Sequence, residues 1–100
     1  MNVYVIGVGL IGGSMALDIK SNYENVTVFG IDSNEKYLDI ALKLKIIDNK
    51  ALISDLADAD FVILAVPVDI ALVLLPNVLD KIKGTGSDIL GKGKELVGAK

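Results

Sequence analysis

The stretch that decides the fold is VYVIGVGLIGG, residues 3–13, in which four glycines fall within seven residues directly after an apolar run. Residues 2–6 are rich in valine and isoleucine, which predicts a short buried strand. Beyond the glycines, apolar residues recur from residue 10 to about residue 22 at the spacing of a helix. The stretch therefore predicts a strand, a tight glycine-rich turn and a helix in direct succession.

Three of these glycines have the spacing Gly-x-Gly-x-x-Gly, and each has its own physical reason. Gly7 permits a tight turn, Gly9 lets the backbone approach a pyrophosphate, and Gly12 lets the helix pack on the strand. The first amides of the helix then face the phosphates with the positive end of the helix dipole. We expect Gly13 to permit close packing of the helix. The pattern predicts a dinucleotide site, and the alternative is a turn that binds nothing.

Further strands and helices follow in alternation. A second strand is predicted at residues 26–31, and the segment DSNE, residues 32–35, predicts a helix start with Asp32 as N-cap. A short third strand is predicted within residues 46–53. The run FVILAV, residues 61–66, is typical of a central parallel strand that is buried on both faces.

A last helix is predicted after Pro67, with Asp69 as its cap and a kink or restart at Pro76. This order predicts an α/β fold with a Rossmann-type doubly wound parallel sheet, incomplete, with about four strands and flanking helices. We divide the chain into a dinucleotide-binding Rossmann domain over residues 1–83 and a divergent tail rich in glycine and lysine over residues 84–100. For the tail, an edge segment and a loosely ordered tail are both open.

Asp32 lies about 20 residues beyond Gly12, at the end of the second predicted strand, where a carboxylate can accept hydrogen bonds from the adenine ribose. Its charge would repel the 2′-phosphate of NADP. The neutral residues Ser33 and Asn34 follow at positions where an arginine would accommodate that phosphate. We therefore expect NAD as the cofactor, with NADP less favoured. A plain helix cap is the alternative role for Asp32.

Val66 and Pro67 end the strand that is predicted to lie beside the first one. The loop at this point borders the crevice at the switch point of a doubly wound sheet. We expect these two residues to line the nicotinamide-ribose side of the site, and the alternative is a strand end with a proline stop.

The composition excludes several kinds of chemistry. The 100 residues include no cysteine, no histidine and no arginine, which removes thiolate zinc sites, the commonest general base and bidentate carboxylate binding. The net charge of −3 provides no basic surface for nucleic acid. No apolar run reaches the ~18 residues that a membrane span needs. We expect a cytoplasmic protein without a metal site and without nucleic-acid or membrane partners.

The runs VIGVGLIGGSMA, VFGIDSN, ADFVILAVPVD and LLPNVLDKI resemble the amino-terminal domain of prephenate dehydrogenases. The most specific element is GLIGGS, which is typical of prephenate and arogenate dehydrogenases, and the resemblance covers roughly residues 1–83. The resemblance implies the following cofactor contacts: Gly7, Gly9, Leu10, Ile11, Gly12, Asp32, Ser33, Val66 and Pro67.

The resemblance also implies an activity for the full-length parent. In this family an NAD(P)-dependent oxidative decarboxylation converts prephenate to 4-hydroxyphenylpyruvate in tyrosine biosynthesis, and a helical carboxy-terminal domain forms a homodimer. The family uses a histidine and arginines that this chain lacks, so we assign no catalytic residue and expect an inactive cofactor-binding portion. The alternatives are another dehydrogenase of arogenate or β-hydroxyacid type, a non-catalytic nucleotide-sensing module, and a fragment that binds nothing.

Overall fold

The computed structural model describes residues 1–83 and 95–98, and its centre is a parallel β-sheet of five strands in the order β3-β2-β1-β4-β5. The elements in chain order are β1 (Asn2–Ile6), α1 (Leu10–Asn22), β2 (Thr27–Ile31), α2 (Glu35–Lys43), β3 (Asn49–Lys50), a 3₁₀ helix (Ile53–Asp58), β4 (Phe61–Leu64), α3 (Val68–Lys83) and β5 (Glu95–Gly98). Every pair of neighbouring strands is parallel.

β1 lies in the middle of the sheet because both of its faces are apolar. Val3 and Val5 pack with residues of α1 and α2, whereas Tyr4 and Ile6 pack with residues of α3 and the 3₁₀ helix. These four side chains are at most 2 % exposed, and burial of each contributes about 1.5–3 kcal/mol. Tyr4 also stacks on Phe29 of β2, with ring centroids 4.5 Å apart. The sheet is thus enclosed between two helical layers.

The doubly wound parallel sheet is confirmed, and the short third strand lies within its predicted range. Only Asn49–Lys50, within the predicted range 46–53, form β3. The amides of Ile46 and Ile47 both donate to the carbonyl of Ala41, at 2.8 and 3.3 Å, so they close the end of α2 before β3 begins. Ile47 is 1 % exposed, and its apolar side chain therefore belongs to the core beneath α2.

The starts of α2 and α3 differ from the predicted ones. Asn34 is the N-cap of α2 in place of Asp32, and its side chain accepts a hydrogen bond from the amide of Lys36 at 3.0 Å. α3 begins at Val68, before its predicted cap, so Asp69 lies in its first turn, where the helix dipole favours a carboxylate. Pro76 lies inside α3, which runs through it without a restart. Within residues 1–83 and 95–98, no helix has the length and apolar character to cross a membrane.

Part of the predicted tail belongs to the sheet. β5 pairs with β4 from Phe61↔Glu95 to Leu64↔Gly98 and forms one edge of the sheet. Of the two alternatives for the tail, the edge segment is therefore correct for these four residues. β5 is a fifth strand, in addition to the four that the sequence predicts. Residues 84–94 and 99–100 lie outside the described residues, and the domain boundary at residue 83 stays a prediction.

Candidate functional site

A cleft of about 690 Å³ opens at the carboxyl ends of β1, β2 and β4. Doubly wound sheets bind ligands at this edge, where the strand order switches direction between β1 and β4. The predicted site residues that line the cleft are Gly7, Gly9, Asp32, Ser33, Val66 and Pro67. The fold thus brings the glycine turn, the end of β2 and the loop after β4 to one place.

Two glycines of the turn are required by the packing of the chain itself. Gly7 has a φ of +92°, a left-handed conformation that residues with a Cβ rarely adopt. A Cβ on Gly7 would also lie 2.7 Å from Cγ1 of Val66. A Cβ on Gly12 would overlap the carbonyl oxygen of Gly7. Gly12 therefore lets α1 begin directly against the turn.

Gly9 differs from these two glycines. Apart from Gly9 and its two chain neighbours, no atom of the described residues comes within 4 Å of the position that its Cβ would take. Its φ of −74° is open to residues with side chains. Packing of the described chain therefore does not require glycine here. A side chain would instead occupy space beside the cleft that Gly9 lines, through which a pyrophosphate could approach the backbone. A dinucleotide fits this arrangement.

The amino end of α1 begins beside the cleft, because its N-cap is Gly9. Glycine has no side chain to accept hydrogen bonds from the first turn, and that turn carries no acidic residue. The first amides of a helix lack partners within the helix and carry the positive end of its dipole. Leu10 and Ile11, both exposed, form this turn together with the buried Gly12. The site can therefore accept a phosphate without a lysine.

Asp32 joins the glycine turn to the end of β2. Its Oδ2 accepts a hydrogen bond from the amide of Val8 at 2.8 Å, and its Oδ1 accepts one from the amide of Asn34 at 2.9 Å. The residue is half-buried and lines the cleft. Because each oxygen of a carboxylate can accept a further hydrogen bond, Asp32 keeps acceptor capacity for a ligand in the cleft.

The loop after β4 forms another wall of the cleft. The amide of Ala65 still donates to the carbonyl of Ile6 at 2.8 Å, so the chain follows β1 up to this residue. Val66 and Pro67 then leave the sheet beside the glycine turn and line the cleft. Their position agrees with the crevice that the sequence predicts at the switch point.

Of the apolar residues that line the cleft without having been predicted as site residues, three are large and exposed. Tyr37, Leu52 and Ile70 are 49, 69 and 45 % exposed. The sequence places Tyr37 and Ile70 on apolar helix faces, which predicts burial in the core. Exposed apolar side chains at a cleft fit the apolar parts of a ligand. Their position could have revealed them, since each follows within six residues of a strand end.

Gly13 does not have the role predicted for it. A Cβ at this position would meet Cγ2 of Ile46 at 3.9 Å, which is an ordinary van der Waals distance. The expectation that Gly13 permits close packing is therefore wrong, because α1 has room for an alanine there.

The cleft lies at the strand switch, and open space adjoins Gly9 in the turn beside it. Fold and site together define a Rossmann-type nucleotide-binding domain. The family model described as "Prephenate dehydrogenase, nucleotide-binding domain" matches residues 15–89, and the chain belongs to this family. The match begins after Gly12, so the geometry of the glycine turn is an independent observation.

Known proteins of this family cover most of the chain. The prephenate dehydrogenase of Bacillus subtilis (strain 168) is 44 % identical over 78 residues, which cover 76 % of this chain and 21 % of the relative. That of Lactococcus lactis subsp. cremoris (strain MG1363) is 42 % identical over 77 residues, covering 76 % and 22 %. A prephenate dehydrogenase from A. aeolicus, solved with hydroxyphenyl propionate and NAD+, has a TM-score of 0.75 at 28 % identity, covering 98 % of this chain and 32 % of that one. The chain spans about a fifth of the length of the curated relatives it matches.

Proposed function

We propose that the cleft binds NAD and that the chain is the cofactor-binding portion of a prephenate dehydrogenase. The observation that carries the proposal is the open space beside Gly9. No neighbouring atom of the described residues requires a glycine at this position, so the missing side chain leaves room for a ligand. The proposal is supported by membership of the family and by the A. aeolicus relative, whose solved structure contains NAD+.

The cofactor contacts in this proposal are the residues named from the sequence: Gly7, Gly9, Leu10, Ile11, Gly12, Asp32, Ser33, Val66 and Pro67. The glycine turn and the first amides of α1 hold the pyrophosphate, the end of β2 holds the adenine ribose, and the loop after β4 borders the nicotinamide ribose. The chemistry that NAD supplies when bound is acceptance of a hydride. The residues of this chain bind and orient it.

The parent protein, in this proposal, oxidatively decarboxylates prephenate to 4-hydroxyphenylpyruvate. The curated relatives named prephenate dehydrogenase support this substrate over arogenate. Dimerisation and substrate binding belong to a helical domain of the parent. The chain lacks the histidine and arginines of the family, so catalysis belongs to other parts of the parent.

NAD is favoured over NADP because of the charge at the end of β2. Asp32 lines the cleft and is followed by the neutral Ser33 and Asn34. A 2′-phosphate in this position would meet the like charge of the carboxylate, and specificity of this kind comes from a repulsive element as well as an attractive one.

Two glycine substitutions in the same helical turn test the binding site. Gly9→Ala should weaken NAD binding at least about tenfold, which corresponds to about 1.4 kcal/mol, because the methyl group enters the ligand's space. Gly13→Ala is the matched control and should leave NAD affinity unchanged, since its Cβ meets only Ile46 at van der Waals distance. Isothermal titration calorimetry on the 100-residue chain measures both affinities.

Equal NAD affinities for the wild type and Gly9→Ala would contradict the assignment of the pyrophosphate to this turn. Absence of NAD binding by the folded wild-type chain would contradict the proposed function itself. Circular dichroism of each variant establishes that the fold is intact, so that a loss of binding reports on the site.

A further inference from the structure

The turn between β1 and α1 accepts support from a side chain that directly follows β2, that of Asp32. The amide of Val8, the residue between the first two glycines of the motif, donates to Oδ2 of Asp32 at 2.8 Å across 24 positions of sequence. The other oxygen of the same carboxylate accepts from the amide of Asn34 at 2.9 Å. One half-buried carboxylate therefore fixes two backbone segments that line the same cleft.

Val8 itself has a fixed orientation. Its side chain is buried in the core cluster that lies beneath α1 and α2, while its amide points to Asp32. On one side it follows Gly7, whose left-handed backbone reverses the chain direction and whose amide donates to the carbonyl of Ile31 at 2.7 Å. On the other side it precedes Gly9, the N-cap of α1. The direction of the Val8 peptide thus sets where Gly9 and the first amides of α1 lie.

We propose that Asp32 is a positioning residue for the phosphate-binding turn, in addition to its proposed role toward the adenine ribose. Through the Val8 amide, the carboxylate holds Gly9 and the amino end of α1 in the arrangement that receives a pyrophosphate. This inference rests on the proposed function for its ligand. Asp32 then affects the affinity for a dinucleotide in two ways. It accepts hydrogen bonds from the ribose hydroxyls, and it positions the phosphate-binding turn, which requires no ribose hydroxyl.

A ligand without ribose hydroxyls isolates this second part. 2′,3′-Dideoxy-ADP carries the pyrophosphate but cannot donate hydrogen bonds from the 2′ and 3′ positions, whereas ADP can. Asp32→Ala removes the acceptor for Val8 and should weaken binding of the dideoxy ligand about three- to tenfold, the effect of one hydrogen bond. Asp32→Asn keeps an acceptor oxygen for Val8 and should restore most of that affinity, although it weakens ADP binding.

The control for the end of α2 is Asn34→Ala, which removes the N-cap without touching Val8. It should leave binding of the dideoxy ligand within about twofold of the wild type. Equal affinity of the wild type and Asp32→Ala for 2′,3′-dideoxy-ADP would overturn the positioning role, because the carboxylate would then act on the ribose alone.

Hydrogen exchange tests the same role without any ligand. Exchange of the Val8 amide should be at least about tenfold faster in Asp32→Ala than in the wild type, with the Val5 amide in the middle of β1 as an unchanged reference. An unchanged Val8 rate would overturn the inference even if NAD binds as proposed. Conversely, a faster Val8 rate in a chain that fails to bind ADP would uphold the anchoring of the turn and overturn only the proposed function.

Discussion

A side chain at Gly12 would enter the chain's own backbone, whereas a side chain at Gly9 would enter space beside the cleft. A substitution at Gly12 should therefore affect the stability of the turn, whereas a substitution at Gly9 should affect its ability to receive a ligand. Their spacing in the sequence does not distinguish them, because both belong to the same Gly-x-Gly-x-x-Gly pattern. The distinction depends on where α1 and the carbonyl of Gly7 lie in the folded chain.

Gly12→Ala should destabilise the fold strongly. Because its Cβ would overlap the carbonyl oxygen of Gly7, α1 has to move away from β1, and such overpacking costs about 3 kcal/mol. Gly9→Ala should cost less than about 1 kcal/mol, the difference between a glycine and a poorer N-cap. Urea unfolding followed by circular dichroism measures both. Similar losses in the two variants would show that the overlap at Gly12 is relieved without strain.

Asp32→Asn should change the preference between the two cofactors. Loss of a hydrogen bond to a charged group costs about 1.5–3 kcal/mol, so NAD binding should weaken about tenfold or more. NADP binding should stay the same or improve, because the like charge is removed. Calorimetric titration of both cofactors gives the ratio, and Asn34→Ala, which alters the cap but keeps the carboxylate, should leave that ratio unchanged. An unaltered ratio in Asp32→Asn would contradict the role of its charge.

On the scale of secondary-structure elements, α1 contains a glycine that neither packing nor turn geometry requires. A Cβ on Gly13 meets only Ile46, at 3.9 Å. Gly13→Ala should therefore raise the free energy of unfolding by about 0.5–1 kcal/mol, because alanine has the higher helix propensity. A shift of the urea midpoint without a change in the m-value would measure it. Destabilisation would reinstate the close packing that the sequence predicts for this position.

Asp48, which directly precedes β3, connects α1 and β2 at the end of the strands opposite the cleft. Its Oδ2 accepts from the amide of Val28 in β2 at 2.8 Å, and its Oδ1 accepts from Nζ of Lys20 in α1 at 2.8 Å. Partial burial of the carboxyl raises its pKa, but the hydrogen bonds from Lys20 and Val28 outweigh this effect, so the pKa of Asp48 lies below its ordinary value. The segment before β3 is thereby tied to the end of α1.

The lowered pKa of Asp48 determines in which direction its contribution to the free energy of unfolding changes with pH. A carboxyl with a lower pKa in the folded state contributes stability that is fully present above its unfolded pKa, about 4. That contribution is lost as the pH falls through the folded value. Asp48→Asn should therefore be less stable than the wild type at pH 7, and the difference should shrink below about pH 4. Urea unfolding between pH 7 and pH 3 tests this, with the exposed Glu24→Gln as control.

Helices and strands with a strong local apolar pattern could be predicted from the sequence. Those whose bounds depend on individual contacts in the folded chain could not. β1, α1 and β4 follow from runs of apolar residues that leave few alternatives. The brevity of β3 depends on where Ile46 and Ile47 find their acceptor, the carbonyl of Ala41. The 3₁₀ helix is likewise set by the burial of Leu56 against α3. The contact of Leu56 with α3 joins residues far apart in sequence, and the bonds to Ala41 depend on how α2 ends, so the apolar pattern reveals neither.

At the scale of the whole molecule, the site is assembled from the carboxyl ends of three strands. The glycine turn and Asp32 could be predicted because their chemistry is tied to a fixed spacing. The apolar pattern around Tyr37 and Leu52 does not reveal them, since an apolar residue at the rim of a cleft has the same local pattern as one in the core. Only their short distance from a strand end distinguishes them. The hydrogen bond from Val8 to Asp32 also depends on the folded geometry. The proposed binding residues are therefore easier to predict from this sequence than the apolar walls of the cleft.

The composition of the whole chain separates cofactor binding from catalysis. Every basic residue is a lysine and no histidine is present, so the 100 residues offer neither an imidazole for proton transfer nor a guanidinium for a dicarboxylate. General acid–base catalysis by a placed side chain typically contributes about 10²–10⁴-fold. In the proposed function, the chain therefore binds a dinucleotide through its backbone and one carboxylate and offers neither of these two groups for the substrate.

The purified chain should consequently show no prephenate dehydrogenase turnover even when it is saturated with NAD. Saturation is established first, because NAD at about 100 times its Kd should stabilise the fold by about 2.7 kcal/mol and raise the melting temperature. NADH formation is then followed by fluorescence in the presence of prephenate, with a full-length prephenate dehydrogenase as positive control. Steady NADH formation above the protein-free background would contradict the prediction, because lysines and carboxylates of this chain would then suffice for catalysis. A rise in melting temperature without NADH formation would show cofactor binding without catalysis by this chain, which spans about a fifth of the length of the curated relatives.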